Sequence, residues 1–121
     1  GKNIALYSES DDFGNTWSEM RASDMPMIGS KPYAGTLSTG EKYLICSCAK
    51  DIENRDPLTI ALTEKGKDEF SKIFVIDKGK ILSYPYAIES EGKLYVAYSS
   101  SIKGRNQNSA ELAVIDLEDL T

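Results

Sequence analysis

Hydrophobic and polar positions alternate in short runs along this chain, and clusters of Gly, Asp, Asn, Ser or Lys punctuate the runs. Period-two alternation bounded by turn residues is the mark of a half-buried strand. It predicts strands over Asn3–Ser8, Lys31–Ser38, Tyr43–Ala49, Leu58–Thr63, Ile73–Asp77, Tyr84–Glu89, Leu94–Ser100 and Glu111–Asp116. β-Branched and aromatic residues fill these runs, as a pleated surface favours. Turn chemistry lies between them, for example Thr39-Gly40-Glu41. No segment carries the apolar spacing of an amphipathic helix. Leu117–Leu120 has room for one terminal turn. The expected fold class is all-β.

The strand pattern repeats. Gly40–Cys46 resembles Glu91–Ala97, 51 positions on, and Leu58–Leu62 resembles Leu112–Asp116, 54 positions on. A period of about 50 residues with four strands in each is the signature of propeller blades. The expectation is one partial β-propeller domain over residues 1–121: a blade remnant over 1–30, a blade over 31–80 and a blade over 81–121. That is roughly two to two and a half four-stranded antiparallel blades, whereas closure takes typically about 4–8. The sequence therefore reads as the C-terminal part of a longer propeller. Uncovered apolar blade faces predict self-association or docking with missing blades.

Composition narrows the function classes. The chain has 121 residues, 40% hydrophobic and 27% charged, with a net charge of −5. No Lys/Arg cluster is present, which argues against a nucleic-acid partner. No apolar run nears the roughly 20 residues of a membrane span. The absence of histidine excludes a Ser-His-Asp triad and a His-based metal site, and neither a metal nor a cofactor is expected. Cys46 and Cys48 stand two apart on a predicted strand, at or beyond disulfide reach, and read as buried thiols.

Ser10-Asp11-Asp12-Phe13-Gly14-Asn15-Thr16-Trp17 reads Ser-x-Asp-x-Gly-x-Thr-Trp. Asp12 and Gly14 suit a tight turn, with a carboxylate bonding nearby N–H groups and a glycine free to take positive φ. Ser10 and Thr16 can bond across that turn, and Trp17 can fold back as an apolar plug. The segment resembles the Asp box, or bacterial neuraminidase repeat, of sialidase-like β-propellers. It is expected to brace a hairpin and to catalyse nothing. Thr63–Phe70 is a worn copy 53 positions on, with Thr for Ser, Phe for Trp and Lys65 where Asp12 stands.

The resemblance assigns candidate chemistry. Sialidases grip a sugar carboxylate with three arginines from different blades, and Arg55, just before Leu58–Thr63, matches one of them. An arginine fork suits a carboxylate. Without the resemblance, Arg55 reads as a surface residue paired with Asp51 or Asp56. Tyr84, followed by a Gly turn at Gly92 and an apolar strand, matches the family's catalytic tyrosine and is the candidate nucleophile. A phenol of pKa near 10 needs a carboxylate base for that role. Tyr86, two residues on, is expected to share the strand face and line the same pocket. The alternative is that both tyrosines are packing residues. The polar loop Ser99–Ser109, with Lys103, Arg105, Asn106, Gln107 and Asn108, suits hydrogen bonding to sugar hydroxyls or reads as a solvated hairpin loop. Asp116, Glu118 and Asp119 read as solvated.

Several positions depart from the family. Pro85 follows the tyrosine, Ser99 stands where a supporting Glu is usual, and Ala5 falls near the second arginine position, with Lys2 close by. The resemblance implies a sialidase-like exo-glycosidase acting on sialic acid or a related sugar of a glycan or sialoglycoconjugate, with the 121-residue chain inactive on its own. The alternative is a non-catalytic carbohydrate-binding or interaction propeller. Family members often work on glycans outside the cytoplasm, so the resemblance suggests a secreted or periplasmic location.

Overall fold

The computed structural model describes residues 4–26, 31–47, 55–102, 104 and 108–120. Among these described residues, three antiparallel sheets follow one another along the chain. The first pairs β1 (Ile4–Tyr7) with β2 (Arg21–Pro26). The second has the order β3 (Tyr33–Thr36), β4 (Lys42–Ser47), β5 (Leu58–Thr63) and β6 (Phe70–Asp77). The third has the order β7 (Ile81–Ser90), β8 (Lys93–Ser101) and β9 (Asn108–Asp116), and a 3-10 turn over Leu117–Leu120 ends the described chain. The fold is all-β, built of blade-like meanders. The alternation missed β2, whose sequence Arg-Ala-Ser-Asp-Met-Pro has no apolar period. Cys46 is a buried thiol. Cys48 lies outside the described residues.

Strand pairing realigns the repeat. One row across the second sheet runs Tyr33, Ile45, Ile60. One row across the third runs Tyr86, Ala97, Leu112. Superposing these rows places Pro32-Tyr33-Ala34 on Pro85-Tyr86-Ala87, Gly40 on Gly92, Tyr43 on Tyr95 and Ala61 on Ala113. The spacing is then 53 positions for the first strand (Tyr33 to Tyr86) and 52 for the next two (Tyr43 to Tyr95, Ala61 to Ala113). The 51- and 54-position matches read from sequence each miss this alignment. A slip of one residue inverts every side chain of a strand, so the exposed faces become comparable only in the corrected register.

The two sheets pack through one core. Ile45, Ile60 and Leu62 of the second sheet meet Leu94 and Val96 of the third, all fully buried. Tyr43 lies over Gly35, where an added Cβ would come within 2.5 Å of the Tyr43 hydroxyl oxygen. Glycine thus makes room for the ring. Strand β5 is buried along its whole length because Cys46 and Ala61 pack on its other face with Leu44 and Phe70. The third sheet buries one face only. Its other face carries Ile88, Leu112 and Val114, each more than half exposed.

Candidate functional site

Arg55 sits at the entry to β5. Its carbonyl accepts a hydrogen bond from the Leu82 N–H at 2.9 Å, tying this segment to the start of β7. The neighbouring Asp56 carboxylate accepts from the Gly79 N–H at 3.0 Å, so it braces the β6–β7 turn. Among the described residues no carboxylate forms an ion pair with Arg55. Asp51, the other partner considered from sequence, lies outside them.

Tyr84 is presented by a β-bulge. Pairing runs Ser83 to Ser99 and then Tyr86 to Ala97, so Tyr84 and Pro85 together oppose Tyr98. Bulges re-aim side chains and suit a proline, which has no N–H for the ladder. Tyr84 has φ +55°, a region a bulky residue rarely adopts and one that a following proline further restricts. Pro85 is buried, while the Tyr84 ring stands 60% exposed. The Arg55 Cζ lies 5.8 Å from the centre of that ring, within cation–π range.

The structure therefore brings Arg55 and Tyr84 together across the seam between two sheets. Tyr86 has a different neighbour: its ring meets Tyr33 edge-on, with centroids 5.0 Å apart. The polar loop expected over Ser99–Ser109 is shorter than predicted, because Ser99–Ser101 belong to β8 and Asn108–Ser109 to β9. Lys103, Arg105, Asn106 and Gln107 lie outside the described residues.

Sequence alone did not reveal the contact beneath this seam. The Tyr98 hydroxyl donates to Asp77 Oδ2 at 2.8 Å, and Lys80 Nζ approaches the same oxygen at 3.3 Å. Burial and the Asp77 carboxylate push the Tyr98 phenol up to about 12. Burial pushes Asp77 the other way from its net shift, but the Tyr98 hydroxyl, the Lys78 N–H and Lys80 hold its carboxyl below the usual range. Tyr98 is thus a neutral donor locking β8 to the end of β6. Its partner is 21 positions away, and no local pattern announces it.

The Asp box is a closed hydrogen-bond circuit. Asp12 Oδ1 accepts from Ser10 Oγ and from the Thr16 N–H, each at 2.8 Å, and Asp12 Oδ2 accepts from the Thr16 hydroxyl. The Gly14 N–H donates to Ser10 Oγ at 2.8 Å, and Trp17 Nε1 donates to the Gly14 carbonyl at 3.1 Å. Bonds from Thr16 and then Ser10 hold the Asp12 carboxyl down at about 2. Trp17 folds back over Gly14 but stays 61% exposed, so it covers the turn without being buried. The side chains of Ser10, Asp12, Thr16 and Trp17 all bond within the turn itself, which is the arrangement of a brace.

An open apolar hollow of roughly 290 Å³ lies on the rim between β6 and β9, lined by Phe74, Ile76, Ala113, Ile115 and Leu120 among others. Neither Arg55 nor Tyr84 lines it. Among the described residues no group of three or more Asp, Glu or Cys is placed to hold a metal ion. Among the same residues no helix is long and apolar enough to cross a membrane. Residues 1–96 match the model of a family described as a BNR repeat-like domain. No curated protein and no solved structure matches the chain.

Proposed function

The chain belongs to the BNR repeat-like family, and on that premise we propose that it forms part of a sialidase-like exo-glycosidase acting on terminal acidic sugars of glycans. The observation that carries the proposal is the Arg55–Tyr84 pair, 5.8 Å apart at the seam of two sheets. Arg55 grips the sugar carboxylate with its fork of N–H donors, and the Tyr84 ring face steadies the guanidinium plane. Among the described residues no ion pair occupies that fork.

In the catalytic form of the proposal, the Tyr84 oxygen bonds to the anomeric carbon as the glycosidic C–O bond breaks. The phenol proton passes to a carboxylate base, and the leaving oxygen takes a proton from a general acid. Among the described residues no carboxylate hydrogen-bonds the Tyr84 hydroxyl. The 121-residue chain accordingly binds the sugar without turning it over. That same observation favours a second reading, a non-catalytic carbohydrate-binding propeller segment, and Ser99 in place of a supporting Glu points the same way.

Titration of a methyl α-sialoside into the chain, followed by NMR, tests the proposal. Saturable shifts around Arg55 and Tyr84, lost in Arg55→Ala, are expected. Binding that survives Arg55→Ala unchanged overturns the site assignment. Turnover of a fluorogenic sialoside by the chain alone, above blank, overturns the expectation that it is incomplete as a catalyst.

A further inference from the structure

The Arg55–Tyr84 contact spans two sheets, so its geometry depends on how those sheets are set against each other at the seam. Apolar packing alone does not fix that setting, because the hydrophobic effect is non-directional. Tyr84 adds a second requirement. Its φ of +55° at the bulge is strained for a bulky residue, and such backbone persists only where its surroundings hold it. One side of the bulge is held by backbone. The Leu82 N–H donates to the Arg55 carbonyl at 2.9 Å, two residues before Tyr84. The Gly79 N–H donates to the Asp56 carboxylate at 3.0 Å, which fastens the β6–β7 turn beside Arg55.

The other side is held through Tyr98. This residue of β8 opposes Tyr84 and Pro85 together, and its ring is buried in the core that the two sheets share. Its hydroxyl donates to Asp77 Oδ2 at 2.8 Å, and Asp77 pairs with Leu58, three residues after Arg55. One side chain thus joins the strand opposite the bulge to the ladder that Arg55 leads into. A phenylalanine would fill the same core volume without taking a carboxylate out of water, so packing does not call for the hydroxyl. A directional bond at this point does what packing cannot: it fixes the position of a side chain through its support. We propose that Tyr98 is a positioning residue for the Arg55–Tyr84 pair, holding the bulge through Asp77 where the tyrosine ring meets the guanidinium. Its consequence for sugar binding rests on the function proposed above, and its consequence for the pair itself does not.

The Arg55 side-chain N–H resonances read the pair directly. The Tyr84 ring face is expected to displace them upfield, and Tyr84→Leu to remove that displacement. In Tyr98→Phe, at a temperature where the variant is fully folded, most of the displacement is expected to be lost. Asp77→Asn keeps a carbonyl acceptor for the hydroxyl and is expected to retain part of it. Tyr98→Phe is also expected to weaken binding of a methyl α-sialoside by about three- to tenfold, and to add no further loss to Tyr84→Leu. A merely structural bond would lower stability and leave both readouts of the folded chain at their wild-type values, and that result overturns the proposal. Identical Arg55 shifts in wild type and Tyr84→Leu overturn it too, as does an equal loss of affinity with and without Tyr84. If the wild-type chain binds no sialoside, the sugar-binding reading fails, and the Arg55 resonances alone decide the role of Tyr98. If Tyr98→Phe does not fold, Asp77→Asn decides: part of the displacement lost supports the proposal, and a wild-type Arg55 signature overturns it.

Discussion

The second and third sheets are two castings of one repeat, and they differ in what lies against them. Tyr33, Ile45 and Ile60 form a row that another sheet covers, while in the equivalent row Ala97 and Leu112 lie in the open and Tyr86 turns its ring to Tyr33. The sequence of a strand thus fixes its alternation, but burial depends on the neighbour. Where two sheets meet, the same seam brings a loop arginine of one sheet beside a bulged tyrosine of the next. The comparison explains why Arg55 and Tyr84, 29 positions apart in sequence, become neighbours: one ends the β4–β5 connection and the other starts the following sheet.

The sharpest way to break the comparison is to truncate equivalent residues. Ile60→Ala removes side-chain atoms from a site with no exposure and is expected to cost about 2–5 kcal/mol in urea unfolding. Leu112→Ala at the equivalent exposed position is expected to change stability by no more than about 0.5 kcal/mol in dilute solution. Equal effects would mean that the register is wrong. Gly35→Ala probes the same rows by overpacking. Its Cβ displaces the Tyr43 ring at an expected cost of about 1–3 kcal/mol. The equivalent position in the third sheet already carries Ile88, so Ile88→Ala is expected to cost less.

A smaller effect is expected at the link between the sheets. Tyr98→Phe leaves Asp77 without its hydroxyl donor, at about 1–2 kcal/mol. The raised Tyr98 phenol also gives a sign in base. Its contribution is complete below the ordinary value of 10.0 and is lost as pH rises toward about 12. Alkaline unfolding followed by tyrosine absorbance should show this loss in wild type and not in Tyr98→Phe.

The smallest expected effect lies in the two turns. Asp12 is held at about 2 against an ordinary 3.8, so its contribution is complete above pH about 4 and falls away toward pH about 2. Acid unfolding of wild type is expected to show that increment, and Asp12→Asn is expected to lack it. The worn turn has no such circuit: Lys65 stands in the Asp12 place, and an N–H from Lys67 to the Glu64 carbonyl, with the Lys67–Glu64 ion pair, holds it. An identical acid response in wild type and Asp12→Asn would remove the Asp box as a distinct brace.

How much of this was legible follows from range. Alternation within a run located Leu58–Thr63 to the residue, because strong β-formers and turn residues bound it. It missed β2, where Ser23 and Asp24 break the apolar period and only pairing with β1 makes a strand. The Asp box was readable because all its bonds are local. The bulge at Tyr84 and Pro85 was not, since it is defined by what opposes it, Tyr98. The Tyr98–Asp77 bond was hidden for the same reason. Arg55 and Tyr84 were nameable from a family resemblance, but their contact belongs to the packing of two sheets.

The claim that Arg55 recognises a sugar carboxylate has one direct test. The side-chain N–H resonances of Arg55 should be followed while the wild-type chain is titrated with a methyl α-sialoside and, separately, with its carboxyl methyl ester. A neutral ester cannot accept the charge-assisted pair of bonds that an arginine fork offers a carboxylate. The account predicts saturable Arg55 shifts with the acid and little or none with the ester. Equal shifts with both sugars, or none with either, would contradict it.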